Sequence, residues 1–199
     1  MIPYGAQIER TSSTDVLRRY QLRKDGYFLY VSRLEPENNA DLVIEAFGRV
    51  KTDKNLVIVG DAPYAKDYKK RLLNTKDPRV IFTGYIFGHG YRELHSHAYC
   101  YIHATEVGGT HPALIDGMSL GHCVLVNGTP ENIEVIGEGG IIYKKNDGHD
   151  LREKLSWIIR HPEARPNFSQ KARERVFQFY TWDRIADQYE GLFRTILEA

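Results

Sequence analysis

A chain of 199 residues carrying 27 basic and 26 acidic side chains is close to neutral, which leaves it without the electrostatic footprint of a nucleic-acid or anionic-membrane binder. Its 42% hydrophobic and 27% charged content is that of an ordinary soluble globular protein, one domain in length and able to bury roughly 70% of its unfolded surface. Cys100 and Cys123 each sit in a short apolar run and read as packed thiols of a reducing compartment, not as a disulfide or metal framework. No apolar run approaches the ~20 residues of a membrane helix and the start lacks a hydrophobic targeting region, so a cytoplasmic location is expected.

Strand and helix patterns then alternate along the chain. "YFLYVSR" (27–33) predicts a strand, and 38–50 a helix with Leu42, Val43, Ala46, Phe47 and Val50 on one face. "NLVIVG" (55–60) is a second strand, followed by a helical 64–75 in which Tyr64, Tyr68 and Leu72 stand one turn apart. "RVIFTG" (79–84) is the third strand, 90–98 a short helix, and "YCYIHA" (99–104) the fourth strand. "EVGGTHPALIDGMSLG" (106–121) leads from it into a helix containing Ile115 and Met118.

"CVLVN" (123–127) and "GIIYK" (140–144) are two further strands, and the intervening "ENIEVIGEGG" reads as irregular, with Gly137, Gly139 and Gly140 as turn residues. Three helices close the chain at 150–160, 169–180 and 181–197. The last carries a stripe of Trp182, Ile185, Ala186, Tyr189, Leu192, Phe193 and Ile196, expected to pack on its own sheet, with a partner domain as the alternative. Nearly continuous apolar strands alternating with helices define an α/β class, a Rossmann-like doubly wound parallel sheet followed by C-terminal helices.

In such sheets ligands lie beyond the carboxyl ends of the strands, and those ends are chemically loaded here: "SRLEPENN", "GDAP", "GYIFGHG", "HATEVGGTHP" and "NGTPEN". Gly108 and Gly109 would let a ligand approach the main chain. Thr110 or His111 would cap the helix, and Pro112 suits its first position. The N–H groups that follow would form a phosphate site. Asp116, one turn into that helix, would hold two neighbouring hydroxyls, as on a ribose, or simply complement the helix dipole. Arg33 at the end of the first strand would offer a bidentate phosphate contact. His103 stands at the crevice end of its strand, where ligand contact and structural support are both open. His89, His95 and His97 do not share a helical face, which argues against a metal site. No GxGxxG follows the first strand and no Walker-type lysine loop is present, which lowers a dinucleotide reading.

Taken in order, "IPYGA", "SRLEPENNADLVIEAF", "LVIVGDA", "FTGYI", "EVGGTHPALIDGMSLG" and "VLVNGTPENIEVIGEGG" resemble the C-terminal, nucleotide-sugar-binding half of a GT-B fold glycosyltransferase. The resemblance is to family 4 (group 1), in its bacterial rhamnosyltransferase-like branch. It implies a hinge and leading helix over 1–25, a Rossmann-like core over 26–160 and C-terminal helices over 161–199. The N-terminal acceptor-binding domain would be absent, and the last helix would cross back onto it.

It further implies substrate-binding roles for Arg33, Asn38, Gly60, Tyr85, Ile86, His103, Gly108, Gly109, Thr110 and Asp116. Arg33 would hold the donor diphosphate, with Asn38 where family members have a lysine. Gly108, Gly109 and Thr110 would line diphosphate and sugar, the backbone at Tyr85 and Ile86 would meet the nucleobase, and Asp116 would take the ribose. Glu106 is the candidate catalytic residue near the donor sugar, with no acid or base role assigned, although nine residues separate it from Asp116 where the family motif has seven. The implied reaction transfers a sugar, rhamnose by this branch, from a nucleotide diphosphate donor to an acceptor hydroxyl in cell-surface polysaccharide synthesis.

The resemblance implies no cofactor and no metal. The partners implied are the nucleotide-diphosphate sugar and the acceptor-binding domain, with peripheral membrane association only through the full-length enzyme and no nucleic acid. This chain alone would then bind nucleotide and transfer no sugar. The rival readings are a sugar-nucleotide epimerase-like half domain, a non-catalytic nucleotide-binding domain and a nicotinamide-dependent dehydrogenase.

Overall fold

The computed structural model describes residues 2–6 and 9–198. Six strands, β1 Tyr27–Val31, β2 Asn55–Val59, β3 Val80–Gly84, β4 Cys100–His103, β5 Val124–Asn127 and β6 Ile141–Tyr143, form one parallel sheet in the order β3-β2-β1-β4-β5-β6. The central strands are apolar at nearly every position because both of their faces are covered. Phe28, Tyr30, Leu56, Ile58, Cys100, Ile102 and Leu125 point into one core, and Tyr27, Leu29, Val57, Val59, Tyr101, Val124 and Val126 into the other.

Helices α2 Ala40–Gly48, α3 Lys66–Leu73 and α7 Gly148–Arg160 close the first core with Val43, Phe47, Tyr68, Leu72, Leu151, Leu155 and Ile158. The second is closed by α1 Asp15–Arg19, α4 Gly88–His97, α5 Pro112–Ser119, α6 Pro130–Ile136 and α8 Arg165–Phe179. This is the expected doubly wound arrangement. Cys100 and Cys123 are both buried and free. No helix among the described residues is long and apolar enough to cross a membrane.

Three expectations change. The stretch expected to be irregular after β5 contains α6. Thr129 caps it, its Oγ1 accepting the Asn132 N–H at 3.2 Å, and Pro130 takes the first helical position; these start signals outweigh the glycines, which act only at the end, where Gly137 has φ +52°. Tyr64 does not share the face of Tyr68 and Leu72. It precedes α3 and is 90% exposed, because an Asp61 turn bonded to the Ala62 N–H at 2.6 Å delays the helix to Lys66. Finally, α9 Trp182–Leu197 does not lay its stripe on its own sheet. Only Ile185 of that helix is buried, and Trp182, Leu192, Phe193 and Ile196 are exposed.

One buried carboxylate ties α1 to α4. Glu93 is fully buried and accepts the Leu17 N–H at 2.9 Å and the Ser13 hydroxyl at 2.8 Å. Burial pushes its pKa up, but these donors and the N–H groups of Val16 and Asp15 outweigh burial and hold it below the usual glutamate value. Glu93→Gln is therefore expected to lower the unfolding free energy by about 2 kcal/mol at pH 7, the size of hydrogen bonds to a charged group. Because the folded pKa is depressed, this stabilisation is complete above the unfolded value of about 4.3 and is lost as pH falls through the folded one. Urea unfolding of the two proteins at pH 7 and below pH 4 checks this, the difference shrinking in acid.

Candidate functional site

In this strand order the winding reverses between β1 and β4, the place where open α/β sheets bind ligands. A cavity of about 320 Å³ opens there, beyond Val31, Val59 and His103. Its geometry begins with two crossed strand exits. The Ser32 N–H donates to the Val59 carbonyl at 3.1 Å, and the Gly60 N–H to the Gly84 carbonyl at 3.0 Å. Gly60 has φ +142°, and a Cβ built on it would lie 1.8 Å from the Ser32 carbonyl oxygen. Only glycine lets β1 and β2 leave the sheet so close together.

This crossing aims the next residue, Arg33, at the cavity wall. Its side chain is exposed, and among the described residues its guanidinium has no hydrogen-bond or ion-pair partner. The loop behind it is latched by Asn38, which is buried. Its Nδ2 donates to the Arg33 carbonyl at 2.9 Å, its Oδ1 accepts the Thr105 hydroxyl at 3.0 Å, and its own carbonyl accepts the Tyr30 hydroxyl at 2.7 Å. The Asn38 amide thus holds the exit of β1 to the exit of β4.

The β4 side of the wall is built of imidazoles. His103 is buried, with Nδ1 3.5 Å from the Tyr101 hydroxyl and Nε2 without a partner among the described residues. Burial, with a smaller contribution from His111, pushes its pKa down to about 3, so it is neutral at physiological pH. The His111 ring lies 4.8 Å away. His111 is the N-cap of α5 and Pro112 its first residue, as the sequence suggested, but no side chain caps this N-terminus. His111, Pro112 and Ala113 all line the cavity, which brings the positive end of α5 to it.

The remaining wall is aromatic. Tyr85 and Phe87 stack at 5.6 Å with an interplanar angle of 22°, and Phe87 is 77% exposed. Ile86 lies between them on the wall. Arg33, Asn38, Gly60, Tyr85, Ile86 and His103 therefore meet at one cavity.

Glu106, Gly108, Gly109, Thr110 and Asp116 stand outside its wall. Asp116 lies behind Tyr91, whose hydroxyl donates to its Oδ2 at 2.9 Å, and burial raises its pKa against that bond. Glu106 turns toward the β5–β6 side, where its carboxylate accepts the Asn146 amide. Gly108 and Gly109 are exposed, Gly108 with φ +103°, and a Cβ there would sit 3.1 Å from His111 Cε1.

Sequence reading missed Phe87, Tyr91 and Thr105 on this wall. Phe87 was findable, since residues two apart in an extended segment share a side, and "YIF" puts two rings there. His89, His95 and His97 point three ways. His89 faces Thr11 at 3.4 Å, His97 bonds the Ser13 carbonyl at 2.8 Å, and His95 is buried beside Tyr91, Tyr101 and His122.

Residues 15–175, most of the chain, match the family described as glycosyl transferases group 1, and the chain belongs to that family. It is 24% identical over 187 residues to the O-antigen chain mannosyltransferase B of Escherichia coli, covering 91% of this chain and 49% of that protein. It is also 24% identical over 191 residues to the N-acetyl-alpha-D-glucosaminyl L-malate synthase of Bacillus anthracis, covering 92% and 49%. The chain thus spans about half the length of the curated relatives it matches.

Among solved structures it superposes on HepE of Anabaena in complex with UDP-glucose with a TM-score of 0.87, at 17% identity, over 97% of this chain and 56% of that one. It also superposes on the C-terminal domain of a group 1 glycosyl transferase from Francisella tularensis, at a TM-score of 0.73 and 19% identity, over 91% and 97%. The Rossmann-like fold of GT-B glycosyltransferases is therefore this chain's fold. The relatives are named for mannose and N-acetylglucosamine and do not single out a rhamnosyltransferase branch.

Proposed function

We propose that the cavity at the β1–β4 crossover binds the nucleotide diphosphate of a sugar donor. A longer cytoplasmic enzyme containing this chain would transfer the sugar to an acceptor hydroxyl. The observation that carries the reading is the convergence of an unpartnered Arg33 guanidinium and the uncapped N-terminus of α5 on one cavity. The loop carrying Arg33 and the α5 N-terminus are held in place before a ligand arrives, and both favour the charge that grows on a departing diphosphate. In this reading that charge is met by Arg33 and the α5 N-terminus, and transfer needs no metal ion or cofactor.

The Tyr85–Phe87 pair gives a nucleobase a face to stack on. His103, neutral and with an unpartnered Nε2, would meet a sugar or phosphate oxygen without adding charge. Asn38 acts by fixing the Arg33 loop and Gly60 by crossing the strand exits. Asp116 would reach a ribose only beside Tyr91, and Glu106 and the segment Gly108–Thr110 would reach the sugar from the rim. The finer reading, a rhamnosyl donor and a cell-surface polysaccharide acceptor, rests on the wording "RLEPENN" and "EVGGT". The exposed α9 stripe would pack on an acceptor-binding half, without which this chain transfers no sugar.

The test is calorimetric titration with the diphosphates of uridine, deoxythymidine, guanosine and adenosine, with NAD as control. Uridine is first because a structural neighbour holds UDP-glucose. Selective saturable binding is expected, weakened about tenfold in the Tyr85→Ala, Phe87→Ala double variant, the scale of one base–aromatic stack. Heat from none of the diphosphates, or equal binding by the double variant, would sink the respective part of the reading.

A further inference from the structure

A larger cavity, about 870 Å³, opens at the opposite end of the sheet. Lys24 and Asp25 enter it just before β1, Tyr99 just before β4, and His122 and Cys123 just before β5, while α8 closes its side. It is separated from the crossover cavity by the length of the strands, about 15 Å.

Its charge is unbalanced. Arg10, Lys24, Arg165 and Arg173 face only Asp25 and Glu174 among the residues that line it. Asp25 is taken by Arg165 at 2.6 Å, and Glu174 accepts the Gln170 amide at 2.8 Å. Arg165 is also stacked on Tyr99, its Cζ 3.8 Å from the ring centroid. Arg10 is fixed at the end of α5, donating from Nε to the Leu120 carbonyl at 2.7 Å and from Nη2 to the Gly121 carbonyl at 3.2 Å.

Arg173 has no hydrogen-bond or ion-pair partner among the described residues, and its stem and the Arg10 Nη2 both approach Gly121. A Cβ built on Gly121, at φ +71°, would lie 2.7 Å from Arg173 Cδ and 3.2 Å from Arg10 Nη2. Burial and then the Arg173 charge push the Arg10 pKa down, with Asp25 opposing. Both side chains are exposed at the cavity; like charges brought to one mouth repel unless an anion joins them, and a phosphate is the group their planar forks fit.

We propose that this basal cavity is a second anion site, which takes a phosphate group carrying at least two charges between Arg10 and Arg173, within reach of Lys24. The same phosphate chemistry has two sources, a soluble phosphate ester or pyrophosphate, and the headgroup of an anionic lipid.

The experiment titrates the chain carrying Arg33→Ala with inorganic pyrophosphate and follows backbone amides by NMR. Saturable shifts are expected at Lys24, Gly121 and His122, with affinity falling at least tenfold when Arg173→Glu is added. Asp25→Asn removes the carboxylate that competes for Arg165 and is expected to strengthen binding several-fold. Asp25 sits at φ +55°, which asparagine also accepts, and a folding defect would not produce a gain. No shifts at those amides, or an affinity indifferent to Arg173→Glu, overturns the proposal.

Co-sedimentation with phosphatidic acid vesicles, whose headgroup is a phosphate monoester, against phosphatidylcholine, separates the sources. Binding lost in Arg173→Glu assigns the lipid headgroup. Pyrophosphate binding without vesicle binding assigns the soluble ligand.

Discussion

Replacing Arg33 with alanine is expected to weaken nucleoside diphosphate binding by roughly 10- to 150-fold while leaving thermal stability unchanged within about 1 °C. The first half follows from the size of a charge-assisted hydrogen bond, about 1.5–3 kcal/mol, converted at 1.4 kcal/mol per decade. The second half follows from what Arg33 lacks. Its side chain is exposed and has no hydrogen-bond or ion-pair partner among the described residues, so truncation removes no folded-state contact of that kind. The loop it stands on is held by the Asn38 amide and the buried Leu34, which the substitution does not touch. Arg33→Lys should recover only part of the loss, because a point charge cannot make the bidentate contact. Calorimetry beside a melting curve checks both halves, and equal affinity in Arg33→Ala would remove this residue from the site.

Gly60→Ala is expected to have the opposite profile, losing stability and binding together. The new methyl carbon would lie 1.8 Å from the Ser32 carbonyl oxygen, a backbone atom, and the residue would keep a φ of +142° that alanine rarely adopts. Strain and overpacking of this kind cost on the order of 4 kcal/mol together, a large share of a domain's ordinary 5–15 kcal/mol. Relief would require β1 and β2 to separate at their exits, which breaks the Ser32–Val59 hydrogen bond and swings Arg33 away from α5. Urea unfolding measures the first effect. A Gly60→Ala chain that is as stable as the parent would show that the crossing relaxes at little cost.

Much of this arrangement was legible in the sequence, for a definite reason. A strand buried on both faces must be apolar at successive positions, so "YFLYV", "NLVIV" and "CYIH" announce central parallel strands with little ambiguity. Once the sheet is parallel, every strand exit lies at one edge, and Arg33, Gly60, Tyr85 and His103 are brought together by topology alone. What the sequence hid depends on which side chains meet across elements. Asp116 is spaced to face a ligand, but α4 puts Tyr91 in front of it. Asn38 stands where a ligand contact was expected, and which groups its amide bridges, Arg33 and Thr105, shows only in the fold. The helix α6 was obscured by glycines that only terminate it. The α9 stripe obeys helical periodicity perfectly well, and periodicity does not say what covers an apolar face.

The most direct measurement is a crystal structure of this chain soaked with UDP. A diphosphate is expected between the Arg33 guanidinium and the first turn of α5, with the base against Tyr85 and Phe87. A diphosphate bound only in the basal cavity between Arg10 and Arg173, or a base lying away from the Tyr85–Phe87 pair, would contradict it.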